Sequence, residues 1–340
     1  MFSTFQRLNL NVGQNTFLFH ATLQNGDQMG KAKIAFYWAA SCGGCEIAVL
    51  DINEKILDIV AKADIVFWPV AIDIKYKDVD AMPDKSIDAC FFNGAIRTEE
   101  NERIAKLLRA KSKILVAFGS CACDGCVNGL ANLWDKETTF QRLYMETPST
   151  KNPESITPMT SVQVKEGELE LPEFYDTVKT LAQTVDVDYF ISGCPPPIPS
   201  IIQAFETILS GKLPPKGSSF LPNKSICDEC PREKKERKLS QIKRIYEIDD
   251  DLKTCFWDQG VICMGPATRA GCGAQCPKVN IPCTGCDGPA PRVTDQGAAI
   301  ISALSSIATD PSVIDQIVDP IGTFYKYSLA NSILRRKVRK

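Results

Sequence analysis

Short apolar runs alternate with amphipathic or charged segments along residues 31–212. Five apolar runs have the length and composition of buried strands: 33–40, 65–72, 87–93, 114–119 and 187–192. Segments of helical character follow four of them: 46–62, 99–111, 130–134 and 198–210. Strands that alternate with helices are typical of a parallel sheet covered on both faces. The pattern therefore predicts an α/β fold with a flavodoxin-like, doubly wound parallel sheet.

The pattern changes after residue 212. Residues 213–295 contain eight cysteines and many Gly and Pro, with little strand or helix periodicity. A segment so poor in core-forming residues needs another source of order, and metal ligation supplies one in small metal-dependent domains. We therefore predict a mostly irregular C-terminal domain over 213–295. The predicted neighbours are an N-terminal extension over 1–30, the α/β domain over 31–212, and a C-terminal helix with a basic tail over 296–340.

Composition and charge limit the possible cellular locations of the protein and the classes of partner that it can bind. The chain has 340 residues, 15 cysteines and a net charge of −2, which gives no general attraction to nucleic acid. It has no apolar run of about 18 residues, the length that spans a membrane, and no export signal in its first 30 residues. We therefore expect a cytoplasmic protein. Thiols stay reduced in the cytoplasm, so clustered cysteines there indicate metal ligation rather than disulfides.

Four cysteines lie just beyond predicted strands. Cys42 and Cys45 follow the first strand, Cys121 follows the fourth, and Cys194 follows the fifth. The carboxyl ends of parallel strands share one edge of a sheet, where α/β proteins bind ligands. Three distant loops thus bring four thiols to one edge, and each loop has a glycine where the backbone can bend round a cofactor. This first set has the make-up of a site for one four-iron cluster.

Eight further cysteines fit either zinc or iron–sulfur. They form a second set and a third set: Cys227, Cys230, Cys255 and Cys263, then Cys272, Cys276, Cys283 and Cys286. Taken alone, the Cys-x2-Cys pairs at 227–230 and 283–286 have zinc-ribbon spacing. Iron–sulfur is favoured because proline follows Cys230 and Cys276, as in ferredoxin motifs, and because zinc ribbons do not use an α/β switch point. The aromatic and basic residues of a nucleic-acid-binding ribbon are not concentrated there either.

The sequence offers few other candidate catalytic or ligand-binding residues. The only histidine, His20, lies outside every cysteine set, so neither histidine acid–base catalysis nor a His-containing metal site is expected. Neither a P-loop nor a dinucleotide-binding glycine motif occurs. Cys90 lies inside a predicted strand and is expected in the core. Cys123 and Cys126 closely follow Cys121 of the first set. We expect both side chains to pack against neighbouring residues; the alternative is that they lie near the first set.

Five separated motifs resemble those of the small subunits of nickel–iron hydrogenases. Three lie in the α/β domain: Ser41-Cys42-Gly43-Gly44-Cys45, Gly119-Ser120-Cys121-Ala122 and Gly193-Cys194-Pro195-Pro196. Two lie in the C-terminal domain: Cys263-Met264-Gly265-Pro266-Ala267-Thr268-Arg269 and Pro282-Cys283-Thr284-Gly285-Cys286. They run in the family's order across about residues 31–305. The chain most resembles the cytoplasmic, methyl-viologen-reducing or deazaflavin-non-reducing type that works with heterodisulfide reductase.

The resemblance implies three 4Fe–4S clusters. The first set would bind a proximal cluster, the third set a medial one and the second set a distal one. Many exported relatives have His at the place of Cys227 and Pro at the place of Cys276, and the second change leaves them a three-iron medial cluster. Cysteine at both places implies three four-iron clusters of low potential here. Many relatives also carry an acidic residue where Asn93 stands, so this chain lacks that carboxylate at position 93.

The function implied by the resemblance is that of an electron-transfer subunit. The family's nickel–iron centre lies in a separate large subunit, and electrons would leave through the three clusters. The expected acceptor is an iron–sulfur protein, a small 2Fe–2S subunit together with heterodisulfide reductase. No residue of this chain is expected to act as an acid, base or nucleophile. The alternatives are a quinone-reductase-like relay subunit, a relay whose large subunit lacks nickel–iron, and a zinc-stabilised binding module.

Overall fold

The computed structural model describes residues 30–235, 238–248 and 251–334. The strands are β1 (Ala32–Trp38), β2 (Ala63–Phe67), β3 (Ile87–Asn93), β4 (Ile96–Thr98), β5 (Ser112–Phe118), β6 (Ser161–Val164), β7 (Gly167–Glu170), β8 (Phe174–Lys179) and β9 (Tyr189–Ile191). The α-helices are α1 (Gly44–Leu50), α2 (Lys55–Lys62), α3 (Tyr76–Asp80), α4 (Glu99–Lys111), α5 (Ser120–Asp124), α6 (Lys136–Phe140), α7 (Ile198–Ser210), α8 (Gln275–Lys278), α9 (Gln296–Ile307), α10 (Ser312–Asp315) and α11 (Pro320–Phe324). No helix in these ranges is long and apolar enough to cross a membrane. Residues 1–29 of the predicted extension, with His20, and the end of the basic tail at 335–340 lie outside the described residues.

Five of these strands form a parallel sheet in the order β2-β1-β3-β5-β9. In sequence order this is the 2-1-3-4-5 arrangement of flavodoxin-like sheets, whose switch point lies between β1 and β3. The central strands read as nearly continuous apolar runs because helices cover both faces. The predicted α/β fold with a doubly wound parallel sheet is confirmed.

Alternate side chains of the central strands enter two cores on opposite faces of the sheet. On one face, Phe36 and Phe91 pack against Phe205 of α7, with the Phe91 and Phe205 ring centroids 4.7 Å apart. On the other face, Phe92 packs in a core with Leu108 of α4. These two cores hold the carboxyl ends of β1, β5 and β9 in fixed positions, and the first cysteine set follows those ends.

Two of the predicted helices differ in detail. Segment 46–62, predicted as one helix, forms α1 and α2, because Asn53 takes a left-handed conformation with φ of 54° between them. Residues 130–133 of segment 130–134 lie in a 3-10 helix, Val127–Leu133, rather than an α-helix, and Trp134 follows it with extended backbone. Both differences come from local backbone geometry that apolar periodicity does not encode.

Segment 65–72, predicted as one strand, ends early. β2 stops at Phe67, and the next residues form a turn in which the Ala71 and Ile72 N–H groups donate to Trp68 O. The apolar run therefore continues past the end of the strand. Trp68, directly after the strand, is buried in the same apolar cluster as Cys45.

The C-terminal segment has a core of its own. Within residues 213–295 the described backbone forms short 3-10 helices such as Phe256–Gln259. Phe256 and Trp257 share a buried cluster with Ile300 and Leu304 of α9. Packing against α9 therefore supplies order to this segment, in addition to the order that we expect from metal ligation.

The last described residues return to the α/β domain. The Cys126 N–H donates to Tyr327 O (3.0 Å), and the Gln183 side-chain amide donates to Ala330 O (2.9 Å). The Ala330 methyl lies against Gly125 and Gly129, and a Cβ at Gly129 would lie 3.2 Å from Ala330 Cβ. The described end of the chain can thus approach the α/β domain closely, because the residues in contact, Ala330, Gly125 and Gly129, are all small.

Candidate metal centres

The first set lies where β1, β5 and β9 end. Cys42 and Cys45 flank the start of α1, Cys121 lies in α5 directly after β5, and Cys194 follows β9. The last two loops bond to each other, since the Ser120 N–H donates to the Gly193 carbonyl (2.9 Å) and the Gly193 N–H to Ser120 Oγ (3.0 Å). The structure therefore brings three distant stretches of sequence to one edge of the sheet.

The Cys45 sulfur lies between these loops. Gly119 has φ of 85°, and a Cβ there would overlap Cys45 Sγ, so only glycine fits. Burial raises the pKa of Cys45, and the charges of the Cys194 and Cys42 thiols add to the rise. The Cys121 sulfur accepts a hydrogen bond from Asn128 Nδ2 (3.8 Å).

A fifth thiol lies at the first set. Cys126 Sγ lies 3.7 Å from Cys194 Sγ, and the hydrogen bond that Cys126 shares with Cys121 raises the pKa of Cys126 to about 12. The expectation that both following thiols pack holds for Cys123, whose Sγ donates to a β5 carbonyl in the core, but it is wrong for Cys126. Cys90 is a core residue in β3, as expected.

The four thiols of the second set line one cavity. They share its wall with Ile226, Arg232, Lys234, Phe256, Trp257, Gly265, Pro266 and Pro277. Burial raises the pKa of Cys263 to about 12, and the charges of Cys227 and Cys255 add to the rise. A Cβ at Gly265 would lie 3.1 Å from Cys227 Sγ, so glycine at 265 keeps the space beside that sulfur open.

In the third set, the chain after Cys276 turns back on that residue. The Ile281 N–H donates to the Cys276 carbonyl (3.0 Å). Burial raises the pKa of Cys286, and the charges of Asp287, Cys272 and Cys276 add to the rise. Asp287 was not a sequence-predicted residue; it is 2% exposed, and burial raises its pKa to about 6.

The third set touches both of the others. Toward the first set, Ser120 Oγ donates to the Cys286 carbonyl, and the Cys194 N–H bonds to the Cys286 sulfur. Toward the second set, the Cys283 N–H donates to Cys263 Sγ (3.3 Å). The three sets therefore follow one another in space in the order first, third, second.

The donor chemistry of the three sets fits iron–sulfur ligation. Crowded, buried thiols hold their protons until a cation such as iron offsets the charge of the thiolates. Backbone N–H groups also reach sulfurs, as from Gly44 to Cys42 Sγ (3.4 Å), and such bonds stabilise ligating thiolates. Among the described residues, no three or more His, Cys, Asp or Glu side chains converge on a position for one metal ion. A four-iron cluster does not need such convergence, because each of its four thiolates binds a different iron.

A buried carboxylate that the sequence did not single out lies beside the first set. Glu46 follows Cys45 in α1, is 4% exposed and accepts a hydrogen bond from Trp68 Nε1–H. Burial raises the pKa of Glu46, and the Trp68 and Asn93 side chains oppose the rise. An acidic group thus lies next to Asn93, supplied by α1 rather than by β3.

Sequence relatives decide the family. The F420-non-reducing hydrogenase iron–sulfur subunit of Archaeoglobus profundus is 42% identical over 318 residues, covering 91% of this chain and 99% of that protein. The corresponding F420-non-reducing hydrogenase subunit of Methanothermobacter thermautotrophicus is 38% identical over 323 residues, covering 91% and 98%. This chain belongs to the family of F420-non-reducing hydrogenase iron–sulfur subunits. It is therefore a subunit of an oxidoreductase.

Two further comparisons describe parts of this hydrogenase subunit. The family model described as NADH ubiquinone oxidoreductase, 20 Kd subunit, matches residues 42–208, which hold the whole first set and neither of the others. A solved NAD+-reducing nickel–iron hydrogenase chain in the H2-reduced state is 26% identical, with a TM-score of 0.47, and covers 54% of this chain and 94% of its own.

Proposed function

We propose that this chain is the electron-transfer subunit of a nickel–iron hydrogenase and holds three 4Fe–4S clusters. The first set would bind the proximal cluster, the third the medial and the second the distal. The observation that carries this proposal is that the third set touches both of the others. Clusters held there would form one continuous row, and each cluster would supply a one-electron carrier.

The face around the first set fits a large subunit that contains the nickel–iron centre. Cys42 and Cys194 are exposed there. Trp38, Ile47 and Leu50, which lie on β1 and α1 beside Cys42, are also exposed, with Ile47 at 57%. Exposed apolar side chains that cluster in this way mark protein interfaces. The proposed partner would cover the thiols and exclude water from the proximal site.

The second set would face the acceptor. Cys227, Cys230 and Cys255 are each partly exposed, and Lys234 at the cavity rim donates to the Cys227 carbonyl (3.1 Å). The relatives are named for not reducing F420, so an acceptor protein is proposed in its place. We propose a 2Fe–2S subunit working with heterodisulfide reductase in the cytoplasm.

The residues of this chain would ligate, orient and shield. Thiolates hold the iron, N–H groups bond to sulfur, and the buried walls keep water out. The buried groups Glu46 and Asp287 lie beside the first and third sets and would influence the charge around them. No side chain here is assigned a role as an acid, base or nucleophile.

Metal analysis of anaerobically purified protein tests the cluster assignment. Three cubanes would give about twelve irons and twelve sulfides per chain. Cys255→Ala should lower both counts by about four, because it removes one ligand of the second set. Cys90→Ala is the matched control; this buried thiol lies outside all three sets, so its iron count should stay at the wild-type level. Zinc without acid-labile sulfide would reject the proposal in favour of a zinc-stabilised module.

Co-purification tests the hydrogenase assignment separately. A tagged chain should carry a large subunit that contains nickel, and the complex should reduce methyl viologen with H2. A large subunit without nickel, bound to a chain that still holds iron and sulfide, would leave the relay standing and reject the hydrogenase function.

A further inference from the structure

Arg232 is a buried cation in the wall of the second set's cavity. Its side chain is 4% exposed, and it lines the same cavity as the four thiols of that set. Phe256, directly after Cys255, lies under the guanidinium, with Arg232 Cζ 4.0 Å from the ring centroid. The positive charge is thus fixed against the second set.

The same side chain reaches the third set. Arg232 Nε–H donates to the carbonyl of Pro277 (3.1 Å), the residue after Cys276, and an Nη2–H donates to Asn280 Oδ1 (2.7 Å). Nη1 donates to two backbone carbonyls in the 251–254 loop, at 2.7 and 2.9 Å. Because the guanidinium is a rigid fork of donors, these bonds hold both sets in one relation to each other.

Among the described residues, no carboxylate forms an ion pair with Arg232. All of the acceptors just named are carbonyl or amide oxygens. The Asp251 carboxylate interacts mainly with Thr254 and the Lys253 N–H, and Arg232 contributes least to lowering its pKa to about 2. A buried cation in this state is stabilised by a negative group in the neighbouring cavity.

We propose that Arg232 is a positioning residue that raises the reduction potential of the cluster in the second set and holds the third set beside it. This inference rests on the proposed function. An added electron makes a thiolate-ligated cluster more negative, so a fixed cation beside it stabilises the reduced form. Removal or neutralisation of that cation therefore lowers the potential.

Redox titration of the intact complex, followed by electron paramagnetic resonance, tests the proposal with two variants. Arg232→Gln removes the charge. Asn280→Asp keeps the guanidinium and its hydrogen bonds but sets a carboxylate against Nη2. Each should lower the reduction equilibrium constant of the second set's cluster by about tenfold or more, equivalent to 59 mV for a one-electron couple. Arg232→Lys keeps the charge and should change that constant by less than about threefold.

Lys234→Gln is the matched control, since it removes an exposed cation from the rim of the same cavity. Solvent screens that charge, so the constant should change by less than about threefold. An unchanged potential in Asn280→Asp would overturn the proposal. If Arg232→Gln loses iron, its potential cannot be read, and Asn280→Asp is then the deciding variant. A drop in Arg232→Lys equal to that in Arg232→Gln would also overturn it. Wild-type protein without clusters would instead reject the proposed function.

Discussion

Gly119→Ala should damage the first set more than it damages the fold. The backbone at 119 has φ of 85° and ψ of 157°, a region that is nearly restricted to glycine. Holding alanine there costs about 1–3 kcal/mol. The new Cβ would also overlap Cys45 Sγ, so the sulfur must move, and such overpacking costs about 1–3 kcal/mol more. The movement displaces a proposed ligand of the proximal cluster.

The assay compares iron content and thermal stability with those of Gly211→Ala. Gly211 ends α7 with φ of 69°, and nothing lies within 4 Å of a Cβ built there. That control should cost only about 1–2 kcal/mol of backbone strain and keep all of its iron. Gly119→Ala should lose about four irons. If Gly119→Ala keeps its full iron and is no less stable than the control, the close approach of Cys45 to this loop is refuted.

Three further perturbations separate ligands from neighbours and test a buried acid. Cys276→Pro should convert the third set's cluster to a three-iron form, and an unchanged reduced-state resonance spectrum would reject Cys276 as a ligand. Cys126→Ser should keep about twelve irons; a loss of about four would make this fifth thiol a ligand. Burial raises the pKa of Asp124 to about 6, against about 3.9 in an unfolded chain, so the folded protein holds this proton more tightly. Stability should therefore fall as pH rises from about 4 to 6, by up to roughly 3 kcal/mol. Asp124→Asn should remove that slope in thermal melts; an equal slope in the variant would assign it to another group.

The sheet could be predicted because its strands are buried on both faces. A strand such as β3 or β5 reads as a continuous apolar run, and its carboxyl end can be located to within a residue or two. The position of the first set at the carboxyl edge of the sheet could therefore be predicted as well. The break between α1 and α2 could not, because it depends on one left-handed residue, Asn53.

The residues around the cysteines were harder to predict. The Cys-x-Cys-x2-Cys run at 121–126 was the available signal for Cys126, but its place beside Cys194 depends on a backbone with φ of 51°. Arg232 begins a charged run, which favours exposure, yet the 251–254 loop, Pro277 and Asn280 bind its side chain, and it is buried. In a segment without periodicity, the contacts between loops decide which charge is buried.

The contact between Ala330 and the two glycines at 125 and 129 has an evolutionary consequence. A Cβ at 125 would overlap the Ala330 methyl, and one at 129 would press on it. Exchange at any one of these sites would leave either a clash or a gap, so the three should vary together among relatives. A lineage that enlarges residue 330 must then also re-route the chain end that passes beside Cys126.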